Sequence, residues 1–413
     1  MSRSLGIGFI GSGFNAQFHI RSMVGVREAD VRGVWSPNHK NAERTARLAR
    51  TLDVGDATAY ASLEAMIADP AIEAIWLCGA NHARIENVET IVRTVKAHRR
   101  DLAGIACEKP LARNVAEAIQ VNKLVKSARI PTGYLENQLF APHIEAGRNL
   151  IWARGAATTG RPYLARAAEE HAGPHMPWFW QGALQGGGVL NDMMCHSALV
   201  VRHLLTKPGE PLSSVRPTRI TGQIASLKWS RAEYVARLKK EMSAAVDYAK
   251  APSEDFASLT IEFETDDGHT VIGEASTSWS FVGAGLRLSA ELLGPEYSMR
   301  WNSLDSGLQL FFSRAVKGRA GEDLVEKQNA EQGVMPVVPE EYAAYGYTNE
   351  NRHFCRVFLG LEKPLLTWDD GVEVAKVLMS AYQSAEQGKT LAFPPRGIEK
   401  FVPQVAKGTW RPR

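Results

Sequence analysis

Leu5-Gly6-Ile7-Gly8-Phe9-Ile10-Gly11-Ser12-Gly13-Phe14-Asn15-Ala16 decides the fold. A short apolar run suits a buried strand, and G-x-G-x-x-A then turns it into a helix. Gly11 permits the tight turn, and Gly13 lets backbone amides approach a pyrophosphate. Ala16 lets the helix pack closely on the strand, with its positive N-terminus toward the phosphates. Glycines at strand-to-helix turns are common, so the setting matters. Here the stretch follows a strand, opens a helix and begins a βαβ unit.

Moving outward, strand patterns at 5–10, 31–35, 72–78, 104–107 and 132–135 alternate with helical stretches near 14–25, 40–51, 83–98 and 114–128. Such alternation predicts an α/β Rossmann domain, a parallel sheet with helices on both faces, that binds ligands at the carboxyl ends of its strands. Beyond residue 200, beta patterns at 214–228, 256–265, 269–281, 286–293 and 297–301 predict an α+β domain with a large, mostly antiparallel open sheet. The expected division is 1–135 and 136–413, and two domains suit 413 residues. The charged segment 229–252 interrupts those strands and reads as a solvated surface helix, or more sharply as a lid.

A net charge of +3 over this length gives no case for a nucleic-acid partner or a membrane surface. No apolar run approaches membrane-spanning length, and the N-terminus shows no signal-peptide pattern. Cys78, Cys107, Cys195 and Cys355 form no Cys-x-x-Cys pair, which fits a reducing cytoplasm. A soluble cytoplasmic protein is expected.

After the second strand the chain reads Trp35-Ser36-Pro37-Asn38-His39-Lys40, without the carboxylate that usually binds the adenosine ribose. Ser36, His39 and Lys40 suit a 2′-phosphate, and Asn38 suits a free ribose. Either NAD or NADP is compatible, and Lys40 reads equally well as a solvated helix residue. Cys107-Glu108-Lys109-Pro110 closes the fifth strand. Lys109 there could hold a substrate oxygen, with Glu108 on the lysine or the nicotinamide ribose. A strand-end ion pair explains the two charges as well.

Gly186-Gly187-Gly188 leads into a helical pattern with Asp192 and His196 one turn apart on one face. A carboxylate beside an imidazole is suited to proton transfer near neutral pH. Glu136, Asn137 and Gln138 follow the last strand of the first domain and suit sugar hydroxyls or a helix N-cap. Glu169-Glu170-His171-Ala172-Gly173-Pro174-His175-Met176-Pro177-Trp178-Phe179-Trp180 combines aromatic faces with polar tips. Tyr163, Glu170, His171, His175, Trp178 and Trp180 are therefore candidate carbohydrate contacts. His171, His175, Asp192 and His196 also offer metal-ligand atoms, but His-Ala-Gly-Pro-His is not helical and no metal is expected.

These motifs, in this order, resemble the glucose–fructose oxidoreductase, inositol dehydrogenase and rhizopine-catabolism (Gfo/Idh/MocA) family over nearly the whole chain. The resemblance is carried by Gly11-Ser12-Gly13-Phe14-Asn15-Ala16 with His19, by Asn81-His82, by Glu108-Lys109-Pro110 and by Gly187-Gly188 with Asp192 and His196. Gly79-Ala80 stands where the family usually has Thr-Pro. Asn349-Glu350-Asn351-Arg352-His353-Phe354, Gly360, Pro364 and Asp370-Gly371 extend it into the tail.

The resemblance implies an NAD(P)-dependent oxidoreductase acting on a secondary hydroxyl of a sugar, glycoside or cyclitol. His196 would remove the hydroxyl proton, Lys109 would hold the oxygen, and Asp192 would orient His196 or bind a neighbouring hydroxyl. Gly11, Gly13, Phe14, Asn15, Ala16, Ser36, Asn38, Lys40, Asn81, His82, Glu108 and Lys109 would surround the cofactor. A homodimer or homotetramer paired through the open sheet is also implied. Two alternatives remain at this level. One is a redox-neutral NAD-dependent glycosidase that oxidises, eliminates and re-reduces. The other is a non-catalytic nucleotide-binding regulator, against which intact Lys109, Asp192 and His196 argue.

Overall fold

The computed structural model describes residues 4–305, 307–312, 324–328, 330 and 332–412. It contains two compact units, one formed by residues 1–141 with 345–375 and the other by 142–344 with 376–413.

In the first unit, β1 (Leu5–Ile10), β2 (Ala29–Trp35), β3 (Thr58–Ala59), β4 (Ala74–Leu77), β5 (Gly104–Glu108) and β6 (Thr132–Leu135) form one sheet in the order β3-β2-β1-β4-β5-β6. Every pairing is parallel. β1, β4 and β5 are buried throughout, as expected of strands covered by helices on both faces. The strand order reverses between β1 and β4, the place where such sheets open to a ligand. The two-residue β3 is too short to register as a hydrophobic pattern.

The domain boundary at 135 differs from the observed grouping because residues 345–375 complete the first unit. The Phe354 and Phe358 rings of helix Tyr347–Phe358 fill the space above Gly133 and Gly104, where any Cβ would collide with them. Trp368 donates its indole N–H to the Gly133 carbonyl at 3.1 Å, and the Tyr134 amide donates to the Leu366 carbonyl at 3.2 Å. These contacts join residues more than two hundred positions apart, so no local sequence pattern displays them.

In the second unit, β7 (Leu164–Glu170), β8 (Val215–Ala225), β9 (Phe256–Thr265), β10 (Thr270–Ser278), β11 (Arg287–Gly294) and β12 (Tyr297–Asn302) belong to one sheet. β13 (Gln309–Phe312) and β14 (Gly333–Pro336) pair with each other, and β15 (Leu391–Ala392) joins the large sheet, ordered β12-β11-β7-β10-β9-β8-β15. All its pairings are antiparallel except β7 with β10. Alternating burial along β9, β10 and β11 gives the sheet one covered and one open face. Helix Val189–Leu205 covers it, buried at every position except Arg202, and Ser197 Oγ donates to the Ser276 carbonyl of β10.

The 229–252 segment contains one helix, Ala232–Glu241, with only Val235 and Leu238 buried. Its start is anchored: the Trp229 indole N–H donates to the Trp279 carbonyl at 2.8 Å, and the Asp255 carboxylate accepts from the amides of Leu227, Lys228 and Trp229. Trp229 packs edge-on against Trp180.

Candidate functional site

The first unit's chemistry gathers at the carboxyl ends of its strands. Gly11 has φ +113°, and a Cβ there would stand 2.9 Å from the Cys78 carbonyl oxygen. Both facts require glycine. A Cβ on Gly13 would meet nothing within 4 Å, so the turn leaves open space on the outer side of the loop. Helix Phe14–Ser22 begins at Gly13 without a capping side chain or a first-turn acid, leaving its amides and positive end available to an anion. Asn15 Oδ1 is buried without a partner among the described residues. Ala16 is buried where the helix lies on the sheet, whereas Phe14 is exposed.

Ser36 accepts a hydrogen bond from Ser12 at 2.8 Å, tying the glycine loop to the end of β2. Asn38 is already employed: its Oδ1 accepts from the Asn41 amide and caps helix His39–Thr51. Lys40 projects from the first turn of that helix and is exposed. Asn81 is buried, and His82 stands on the short 3₁₀ turn beside it.

Arg84 was not legible as a site residue. Its buried guanidinium donates to the Cys107 sulfur and to the Glu108, Pro110 and Gly79 carbonyls, joining the ends of β4 and β5. It fixes the loop carrying half-buried Lys109, whose amide donates to Glu108 Oε2 at 3.0 Å. Glu108 does not stand as an isolated strand-end charge. Its Oε1 is 2.7 Å from His19 Nε2, and His19 Nδ1 meets Asn351 Oδ1 at 3.0 Å. Asn351 also accepts from the Trp76 indole at 2.7 Å and donates to Ser22 Oγ at 2.6 Å. The tail motif is thus a structural support for Glu-Lys-Pro. Beside it, burial raises the Glu350 carboxyl well above its ordinary range, and the carboxylates of Glu108 and Glu136 add to the effect.

Asn137 is buried and donates to the Tyr345 carbonyl at 2.8 Å, and Gln138 is buried beside it in the chain.

In the second unit, Asp192 and His196 lie one turn apart, both buried, as the spacing predicts. The preceding glycines have a definite reason. A Cβ on Gly187 would stand 2.0 Å from the Tyr382 hydroxyl, and one on Gly188 2.5 Å from Glu254 oxygens. Glu254 Oε1 accepts from the Gly188 and Leu190 amides at 2.9 and 3.1 Å and from the Tyr382 hydroxyl at 2.5 Å. The Tyr382 oxygen in turn accepts from the Gly188 and Asn191 amides. The helix that carries Asp192 and His196 is therefore capped by a carboxyl distant in sequence. Complete burial pushes Glu254 up to about 7, against the lowering effect of its donors.

The Glu169–Trp180 segment is divided by strand alternation. Glu169 turns inward and lies 3.5 Å from His196 Nε2. Glu170 turns to the other face and pairs with Arg287 of β11, which removes it as a free sugar ligand. Tyr163 precedes the opposite end of the seven-residue β7, about 20 Å along the strand from Glu170, so the two do not share a site. Trp180 is also corrected: it is only 3% exposed and packs on Trp229, Trp279 and Tyr248. Trp178, stacked on Phe179 at 3.8 Å, keeps partial exposure. His171 is buried, with Nδ1 accepting from the Gly173 amide at 2.9 Å. Desolvation and then Lys327 push His175 down to about 4, leaving it uncharged near neutral pH.

Residues 5–131 match the family described as "Oxidoreductase family, NAD-binding Rossmann fold", and 155–300 match the GFO/IDH/MocA C-terminal domain. A D-xylose dehydrogenase of Paenarthrobacter nicotinovorans is 24% identical over 62% of the chain and 57% of that protein. An inositol 2-dehydrogenase of Pseudomonas syringae pv. syringae is 27% identical over 54% of the chain and 62% of that protein. The chain thus spans under two thirds of these curated relatives. Similar solved structures include GenD2 from gentamicin A biosynthesis in complex with NAD, with TM-score 0.74, 24% identity and coverage of 95% of this chain and 97% of that one. Levoglucosan dehydrogenase with NADH and levoglucosan gives TM-score 0.68, 19% identity and coverage of 95% and 100%. These likenesses establish the fold. Among the described residues no helix is long and apolar enough to cross a membrane.

Proposed function

The chain belongs to the Gfo/Idh/MocA oxidoreductase family, and from that premise we propose that it oxidises, reversibly, a secondary hydroxyl of a sugar, glycoside or cyclitol with a nicotinamide cofactor. The observation that carries the reading is the open glycine turn at Gly13, in a chain that also holds buried Asp192 and His196 one turn apart. The residues present fit the cofactor: the first helix is uncapped, so its leading amides can donate to a pyrophosphate. Gly11, Gly13, Phe14, Asn15 and Ala16 would hold the pyrophosphate. Ser36 and Lys40 would meet the adenosine ribose, Asn38 being committed to its helix cap, and Asn81, His82 and Glu108 the nicotinamide ribose. When bound, the cofactor supplies a hydride acceptor.

Lys109 would hold the reacting oxygen, and His196 would take its proton. Asp192 would orient His196 or bind a neighbouring hydroxyl. Asn137, Gln138, His171, His175 and Trp178 are the candidate ring contacts, with neutral His175 and the Trp178 face suited to a polyol. The relatives' names, D-xylose dehydrogenase and inositol 2-dehydrogenase, support this substrate class. We place the protein in the cytoplasm on its four free thiols and expect a homodimer or homotetramer formed through the open face of the large sheet.

The test is nicotinamide reduction with NAD and NADP across a panel of aldoses, cyclitols and glycosides. Lys109→Met and His196→Ala should each lower turnover by roughly 10³-fold while cofactor affinity is kept. Unchanged turnover in both would overturn the reading. Glycoside cleavage without net reduced cofactor would transfer the same residues to the redox-neutral mechanism.

A further inference from the structure

We propose that Glu169 is a positioning residue for His196, the fixed anion that holds the imidazole and stabilises it when it carries the substrate's proton. This rests on the reading of His196 as the base. The inward row of β7 runs Ala165, Ala167, Glu169, two small apolar side chains and then a carboxylate. Glu169 is 7% exposed, His196 is 3% exposed, and the facing atoms are Glu169 Oε2 and His196 Nε2 at 3.5 Å. The adjacent Glu170 behaves differently, neutralised by the guanidinium of Arg287 on the other face. Two consecutive carboxylates are thus assigned opposite partners by the two-residue period of the strand.

A buried carboxylate is costly unless a positive or donor group faces it. Imidazole is a suitable partner for catalysis because its charge is conditional. During oxidation the substrate O–H bond breaks and an N–H bond forms on His196, and a bound nicotinamide would supply the acceptor for the C–H electron pair. Glu169 stays ionised and accepts no proton; its charge offsets the imidazolium that the step creates. Asp192 lies one turn before His196 on the same helix, and the two β10 residues bonded to that helix, Ser276 and Thr277, are neutral.

The test is Glu169→Gln in the full-length enzyme, with Glu169→Asp and His196→Ala beside it. Glu169→Gln should lower kcat about 100-fold with cofactor affinity and Tm little changed. It should also move the acidic limb of kcat/KM about one pH unit lower, because an imidazole without its anion loses its proton more readily. Glu169→Asp should restore part of the rate and of the limb. A rise in KM alone, with kcat and the limb unmoved, would make Glu169 a substrate ligand and overturn the proposal, as would wild-type behaviour. Should the Gln variant not fold, histidine hydrogen–deuterium exchange on the wild type decides: His196 titrating at or below about 6.5, like a free histidine, overturns the pairing, and a higher midpoint supports it. Full activity in His196→Ala would instead overturn the underlying reading of the base.

Discussion

The two glycine turns look alike in sequence and solve opposite problems. Gly11–Gly13 and Gly187–Gly188 each introduce a helix without a local capping side chain. At Gly13 the missing Cβ faces open space, so a negative charge can arrive from outside. At Gly188 the space is filled by Glu254, supported by Tyr382. The first turn reserves a helix end for a ligand, and the second gives it to the protein's own carboxyl. A glycine before a helix therefore reports close approach without identifying what approaches.

The comparison is broken most severely at Gly188. Gly188→Ala places a Cβ against the Glu254 carbonyl oxygen, which no side-chain rotation relieves, and should cost about 3 kcal/mol in urea unfolding. An unchanged midpoint would show that the cap is dispensable. Next comes pH. In the folded chain Glu254 keeps its proton up to about 7, whereas its ordinary value is 4.5. The folded state therefore binds the extra proton between those values. This group is most favourable at low pH, and its contribution falls as pH rises, by on the order of 3 kcal/mol once both states are ionised. Glu254→Gln should flatten that slope in denaturation curves measured across the interval, and a slope kept intact would assign it elsewhere.

Gly13→Val sharpens the other side. The new side chain enters open space, so Tm without cofactor should hold, while NAD affinity by calorimetry falls roughly 30-fold, about 2 kcal/mol. Equal losses of stability and affinity would equate the two turns. The smallest effect belongs to Asn38→Ala, which removes an N-cap and should cost about 1 kcal/mol of stability. A selective loss of NAD affinity instead would restore Asn38 to the ribose.

The nucleotide fold was legible because each long strand is an apolar run bracketed by a helical pattern, as at β1 and β5. The placement of Lys109 after β5 and of Asp192 and His196 one turn apart was legible because strand ends and helical spacing can be read from sequence. The partners were harder. Alternation separates Glu169 from Glu170, but only three-dimensional pairing assigns Arg287 to one and His196 to the other. Trp178 and Trp180 are equivalent by composition, and the anchoring of Trp229 buries the second. Arg84 falls in the 83–98 helical stretch, and its role is hidden from sequence because its acceptors are mostly backbone carbonyls.

The return of residues 345–375 to the first unit bears on how the molecule is made. On the ribosome, all six strands of the nucleotide sheet leave the tunnel more than two hundred residues before the helix that covers Gly104 and Gly133. The nascent sheet must wait with the aromatic seats of Phe354 and Phe358 empty and His19 without Asn351. A fragment ending at residue 141 should be prone to aggregation, and joining 345–375 to it through a short linker should restore solubility.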